Sequence, residues 1–245
     1  MNRTAAEDAG NFLFRYRSAL PFVAACVLPL ALRQFQYPYG SHQLDLLWEL
    51  ACLTVSLLGL GIRIWTSGFA PKGTSGRNTS GQKAEQLNTT GPYSVVRHPL
   101  YVGNALIWLG IAMFPRQAWA VAVVMVLFAV FHRLIVVAEE GFLRRKFGAE
   151  FEEWASRTPP FLPRFRNWRK PALPFSVRTV LKREHTSFFS VMVAFTILET
   201  AGDYFALGRL GPDLFWWIVF GLSLTVYVVL RTLKKKTTVL DVPGR

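Results

Sequence analysis

"PLYVGNALIWLGIAMFPRQAWAVAVVMVLFAVFHRLIVVAEE", residues 99–140, holds two apolar runs on either side of a Pro115-Arg116 turn and closes on a pair of glutamates. About 20 residues of helix cross the hydrocarbon of a bilayer. Two such runs joined by so short a turn make a helical hairpin, and its far ends, Pro99 and Glu139-Glu140, return to one surface. Outward from the hairpin, further apolar runs at 18–32, 44–65, 187–207 and 214–233 bring the number to six. The run at 18–32 contains Pro21 and Pro29, and the run at 99–114 is short, so these two are the ones suited to tilt, kink or re-enter. A hydrophobic share of 51% over 245 residues is more than one soluble core of this length calls for.

The sequence therefore predicts an all-α, polytopic integral membrane protein with about six transmembrane helices and a cytoplasmic cofactor site. Three parts follow: residues 1–65 with the first two helices, a core at 66–166, and an interfacial segment with two further helices at 167–245. Residues 1–11 are polar and no small-residue cleavage site follows the first apolar run, so the first helix is expected to stay.

A net charge of +13 raises nucleic acid as a partner, and the placement of the charges answers against it. With both termini in the cytoplasm, only Arg33, Arg116 and Arg209 of the 28 lysines and arginines fall in outer connections. That is the inside bias of membrane proteins. Arg164, Arg166, Arg169, Lys170, Lys182, Arg183 and Lys234 to Lys236 then face an anionic leaflet, each adding about 1 kcal/mol of attraction. Cys26 and Cys52 lie in apolar runs with no Cys or His at ligand spacing, so neither a disulfide nor a metal is expected.

Two polar segments, 66–98 and 139–186, are long, and both fall on the cytoplasmic side. The first is rich in Gly, Ser and Thr and reads either as a loop that orders on a ligand or as a flexible linker. The second, "AEEGFLRRKFGAEFEEWASRTPPFLPRF" from 138 to 165, reads as a helix leaving the membrane and stopping at Thr158-Pro159-Pro160. An interfacial stretch with Trp168 follows. Neither GxGxxG after a strand nor GxxxxGK occurs, so a cofactor would be held by other means.

"GPYSVVRHPLYVG", 91–103, supplies those means. Pro99 suits the first turn of a helix, which places Arg97-His98 at a helix start, where free N–H groups and the dipole favour an anion. Tyr101 adds a hydroxyl-bearing ring, and Gly103 a point where a ligand can approach backbone. Arg133, Glu140 and Arg144, spaced by seven and four, share one helical face, with Glu139 adjacent. A cation for a carboxylate beside a glutamate pair for an ammonium or hydroxyls suits a zwitterion that also carries a ribose. Each element also has a plainer reading: Arg97 and His98 snorkelling to headgroups, the glutamates facing solvent, Tyr101 as an interfacial aromatic.

Together "GPYSVVRHPLYVG" and "EEGFLRRKFGAEFEEWASRTPPFLP" resemble the isoprenylcysteine carboxyl methyltransferase family and its phospholipid methyltransferase relatives over about residues 44–166. The resemblance implies S-adenosylmethionine at the cytoplasmic face and a lipophilic acceptor entering from the bilayer, an isoprenylcysteine-like carboxylate first among them. It assigns cofactor contacts to His98, Tyr101, Gly103, Glu139 and Glu140, with Tyr93 and Val96 beside them, and gives Arg133 the acceptor. Glu140 or His98 would be the base for an amine or phenol. The extra segment after Pro163, with its two helices, departs from the eukaryotic carboxyl methyltransferases and leaves phospholipid amines, lipid phenols and thiols open as acceptors. Glu199 and Asp203 read as polar groups at the outer boundary or part of a lateral entrance. Two readings of other classes stand beside methyl transfer: an NADPH-dependent sterol-type reductase and a non-catalytic lipid-binding membrane protein.

Overall fold

The computed structural model describes residues 9–10, 12–13, 20–74, 84–208, 210–211 and 213–245. Part of the Gly, Ser and Thr-rich loop and Arg209 lie outside the described residues. Among the described residues the regular elements are all helical: α1 (Leu20–Leu32), α2 (His42–Phe69), α3 (Pro92–Val95), α4 (Pro99–Met113), α5 (Ala118–Phe147), α6 (Ala149–Arg157), α7 (Val177–Leu207) and α8 (Leu214–Lys236). Four of them, α2, α5, α7 and α8, are long and apolar enough to cross a membrane. Among the described residues, four helices thus reach spanning length where the sequence reading expects about six. At 15 residues α4 is a shorter apolar helix, because Pro115 and the positive φ of Arg116 turn the chain back.

The long helices run alternately up and down, and glycines decide how close they come. A Cβ on Gly59 of α2 would lie 2.4 Å from the Gly103 carbonyl oxygen of α4, and one on Gly110 of α4 would lie 2.3 Å from Ser56 Oγ. Backbones this close leave no room for side chains, which is how helices associate where lipid removes the hydrophobic drive. Ser56 Oγ donates to the Ile107 carbonyl at 2.9 Å and the Trp48 indole to that of Met113 at 3.2 Å, so the contact is hydrogen-bonded along its length.

Arg63 ties a third helix to this pair. Its guanidinium donates to Asn104 Oδ1 of α4 at 2.7 Å and to Glu184 Oε2 of α7 at 2.9 Å, and Ser67 holds the other Glu184 oxygen. At the far end of the bundle Phe35, Phe114, Phe195 and Trp216 pack into the main apolar core. The outer faces of α5 and α8 stay apolar and exposed at Val126, Val130, Leu222 and Val229, as lipid-facing surface would be.

Two boundaries differ from the sequence reading. The helix leaving the bundle is broken at Gly148, whose φ of 52° and ψ of −121° suit glycine, so α5 and α6 are separate. α7 begins at Val177, ten residues before the apolar run at 187, because Ser176 caps it and its charged first turns remain helical. Gly110→Val should cost about 1–3 kcal/mol through overpacking against Ser56 and Cys52, measured as a lower unfolding midpoint in detergent.

Candidate active site

α3 and the strand-like step after it are held by the chain that follows α6. The Arg97 and His98 amides donate to the carbonyls of Pro159 (2.9 Å) and Pro160 (3.2 Å), and the Arg164 amide donates back to the Val95 carbonyl at 3.0 Å. The Trp154 indole of α6 donates to the Tyr93 carbonyl at 2.9 Å, and Ser94 Oγ accepts from the Arg169 amide. The two halves of the sequence motif are thus backbone partners. Proline carbonyls accept hydrogen bonds although proline nitrogens cannot donate, which suits Pro159-Pro160 to this role. Beside the seam, Ser94, Trp154, Arg157, Arg164 and Arg169 line a cavity of about 270 Å³.

The seam sets Arg97 and His98 at the mouth of α4, opposite the end of α5. His98 Nε2 lies 2.9 Å from Glu140 Oε1 and its Nδ1 3.8 Å from Glu139 Oε2. Tyr101 donates its hydroxyl to Glu139 Oε1 at 2.8 Å and its ring stacks on His98 at 5.7 Å between centroids. Arg97 Nε is 3.2 Å from Glu140 Oε1, yet it is buried without making a hydrogen bond. Hairpin geometry explains the meeting: helices joined by the turn at Pro115-Arg116 bring their far ends together. Burial pushes the Tyr93 phenol up, the Glu139 charge pushes the same way, and the ring keeps its proton as a donor.

The remaining expected residues take different places. Val96 is buried in extended backbone. Gly103 does lack space around its Cα, but α2 fills it: a Cβ would lie 2.7 Å from both Arg63 Cγ and the Gly59 carbonyl oxygen. The close backbone approach read for a ligand is a helix contact. Arg144 pairs with Glu152 of α6 and lies over the Phe151 ring, one turn beyond Glu140. Arg133 is exposed on α5, two turns before Glu140, and its neighbour His132 turns inward instead.

His132 is the residue that sequence reasoning passed over. It is buried, edge-on to Tyr101 at 4.9 Å, stacked on Phe128, and bonded through Nδ1 to the Phe128 carbonyl. Its spacing of seven from Glu139 was the available signal, hidden by the apolar run around it. Phe161, 5.9 Å from the His98 ring, was equally unmarked.

Residues 50–150 match the family model described as phospholipid methyltransferase. The chain is 34% identical over 170 residues, 67% of its own length and 73% of the relative's, to the nickel-cobalt-cadmium resistance protein NccN of Alcaligenes xylosoxydans xylosoxydans. Over 160 residues it is 36% identical to the cobalt-zinc-cadmium resistance protein CzcN of Cupriavidus metallidurans, covering 65% of this chain and 69% of that one. The chain belongs to the phospholipid methyltransferase family. No solved structure matches it. The matched span of this phospholipid methyltransferase relative contains α4, α5 and every charged member of the His98 cluster, while the seam with Pro159 and Pro160 lies beyond it.

Trp154→Phe should leave the Tyr93 carbonyl without its donor and cost about 1–3 kcal/mol. Limited proteolysis should then cut faster between residues 84 and 98, with the apolar bundle unchanged.

Proposed function

We propose that this protein is an integral membrane methyltransferase that takes its methyl group from S-adenosylmethionine and delivers it to a lipophilic acceptor entering from the bilayer. The observation that carries this reading is the half-buried cluster of opposite charges at the α4–α5 mouth. Arg97 Nε has an unspent donor, His98 stands at a helix start, and Glu139-Glu140 present acceptors within one site. That donor set fits a zwitterionic amino-acid moiety with ribose hydroxyls. Bound, S-adenosylmethionine would supply an electrophilic methyl carbon on a sulfonium.

In this reading Arg97 and His98 bind the carboxylate, and Glu139 and Glu140 accept from the ammonium or ribose. Tyr101 fixes the Glu139 carboxylate, while His132, Phe161 and the half-buried Tyr93 wall the site against water. Exclusion of water and fixed geometry are what a direct displacement needs. Glu140 is already engaged by His98 and Arg97, so an acceptor that arrives ionised suits the site better than one needing a base. A lipophilic carboxylate, as in isoprenylcysteine, is of that kind. In the same reading Arg133, exposed on the outer face of α5, meets the acceptor from the lipid side.

The basic ends of α5 and α8 and the arginines after α6 lie at the same end of the bundle as the site, which supports a cytoplasmic site with both termini inside. The relatives' names concern resistance to nickel, cobalt, zinc and cadmium, and we carry that setting to this chain: methylation of a membrane component under metal stress.

Calorimetric titration of the detergent-solubilised protein with S-adenosylhomocysteine tests the reading. Saturable binding is expected, weakened at least tenfold by His98→Ala or Glu140→Ala, about 1.4 kcal/mol or more, with NADPH showing none. No binding by a folded sample, or preference for NADPH, would overturn it. Glu140→Gln separates the acceptor classes. For a carboxylate acceptor its turnover should fall only as cofactor affinity falls; a further loss in kcat at saturating cofactor would point to an amine or phenol.

A further inference from the structure

At the end of the bundle opposite the His98 cluster, one α4 length away or about 22 Å, stands a second group of charges that methyl transfer does not use. Asp45 and Glu49 of α2 meet Glu199 and Asp203 of α7, with Asp213 at the start of α8. The candidate ligand oxygens of Asp45, Glu49 and Glu199 all lie within 4.8 Å of one another, and all three residues are buried. Such crowding of carboxylates costs heavily unless something positive sits among them.

The protein's own donors meet only part of that demand. Arg116 pairs with Asp45 Oδ1 at 2.5 Å, Trp216 donates to Glu49 Oε2 at 2.9 Å, Tyr37 donates to Asp203 at 2.6 Å, and His42 lies against Asp213. Of Asp45, Glu49 and Glu199, Asp45 alone has a cationic partner among the described residues, Arg116. Two oxygens have no hydrogen bond at all: Glu49 Oε1 and Glu199 Oε2, on side chains 2% and 1% exposed. Buried polar atoms are nearly always paired. Two orphaned acceptors on neighbouring buried carboxylates ask for a positive charge between them.

We propose that Asp45, Glu49 and Glu199 form a divalent-cation site at this end of the bundle. An ion bound at about 2.0–2.6 Å from each carboxylate holds its ligand oxygens at the mutual spacing seen here. Carboxylate donors select the oxygen-preferring divalents, Mn²⁺, Mg²⁺ and Ca²⁺, over thiophilic ions. Trp216 and Arg116 act as the outer layer, each fixing one carboxylate so that its second oxygen stays available. Because its ligands come from α2 and α7, the ion pins the two helices together at the end where α4 stops.

Chelator-stripped full-length protein in detergent, titrated with MnCl₂ by calorimetry and followed by thermal unfolding with and without Mn²⁺, tests this. One Mn²⁺ per chain is expected, with a higher unfolding midpoint. Glu49→Gln and Glu199→Gln should each weaken binding at least tenfold and remove the midpoint shift, while Glu153→Gln, an exposed acid at the other end, changes neither. Should the glutamine variants not fold, Asp45→Asn locates the binding instead. Absence of saturable binding by the folded wild type overturns the proposal, and so does binding that the cluster variants leave intact. Stability that rises on acidification but not with Mn²⁺ would show that a shared proton bridges Glu49 and Glu199. S-Adenosylhomocysteine binding in the same variants reads the other site separately.

Discussion

The amides of Arg97 and His98 lie just ahead of a proline-started helix, where no turn of α4 can accept from them, and the carbonyls of Pro159 and Pro160 take both. The rest of the site depends on that pairing. It fixes where α4 begins, and so where the imidazole and guanidinium stand relative to the glutamates at the end of α5. It also explains why two motifs about 60 residues apart belong together: one supplies donors, the other acceptors that cannot be drawn into a helix of their own.

Beneath the seam, positions are held by shape rather than by apolar attraction. In lipid the helices gain little by hiding hydrophobic surface from one another, so contact distance and buried hydrogen bonds decide the arrangement. Gly59, Gly103 and Gly110 let α2 and α4 touch backbone to backbone, and the Arg63–Glu184 pair with Asn104 and Ser67 locks α7 against them. α4 becomes a rigid post between two polar ends. One end carries mixed charges suited to a zwitterion, the other an excess of carboxylate suited to a cation.

Helices, their apolar runs and the hairpin were legible in the sequence because length and hydropathy alone decide what can cross a bilayer. The cluster of Arg97, His98, Tyr101, Glu139 and Glu140 was legible for a related reason: a hairpin with a short turn must bring its two ends together. Ends of elements were less so. α7 starts ten residues early and α5 stops at Gly148, because capping and a single positive φ settle such boundaries, and neither shows in hydropathy.

Which face of α5 looks inward was a tertiary decision. Arg133 and His132 are neighbours in sequence, and rotation by one residue in a helix, about 100°, puts the histidine against Tyr101 and leaves the arginine outside. The role of Gly103 was decided in the same way, since a bare Cα serves a ligand or a helix equally well until the neighbour is known. Glu49 and Glu199 lie 150 residues apart, and no local pattern couples them. The sequence by itself determined that the chain is a helical membrane protein with charges at the mouth of a hairpin. Only the tertiary structure, by fixing helix rotation and distant contacts, decided which of those charges meet and that two carboxylate oxygens at the opposite end have no partner.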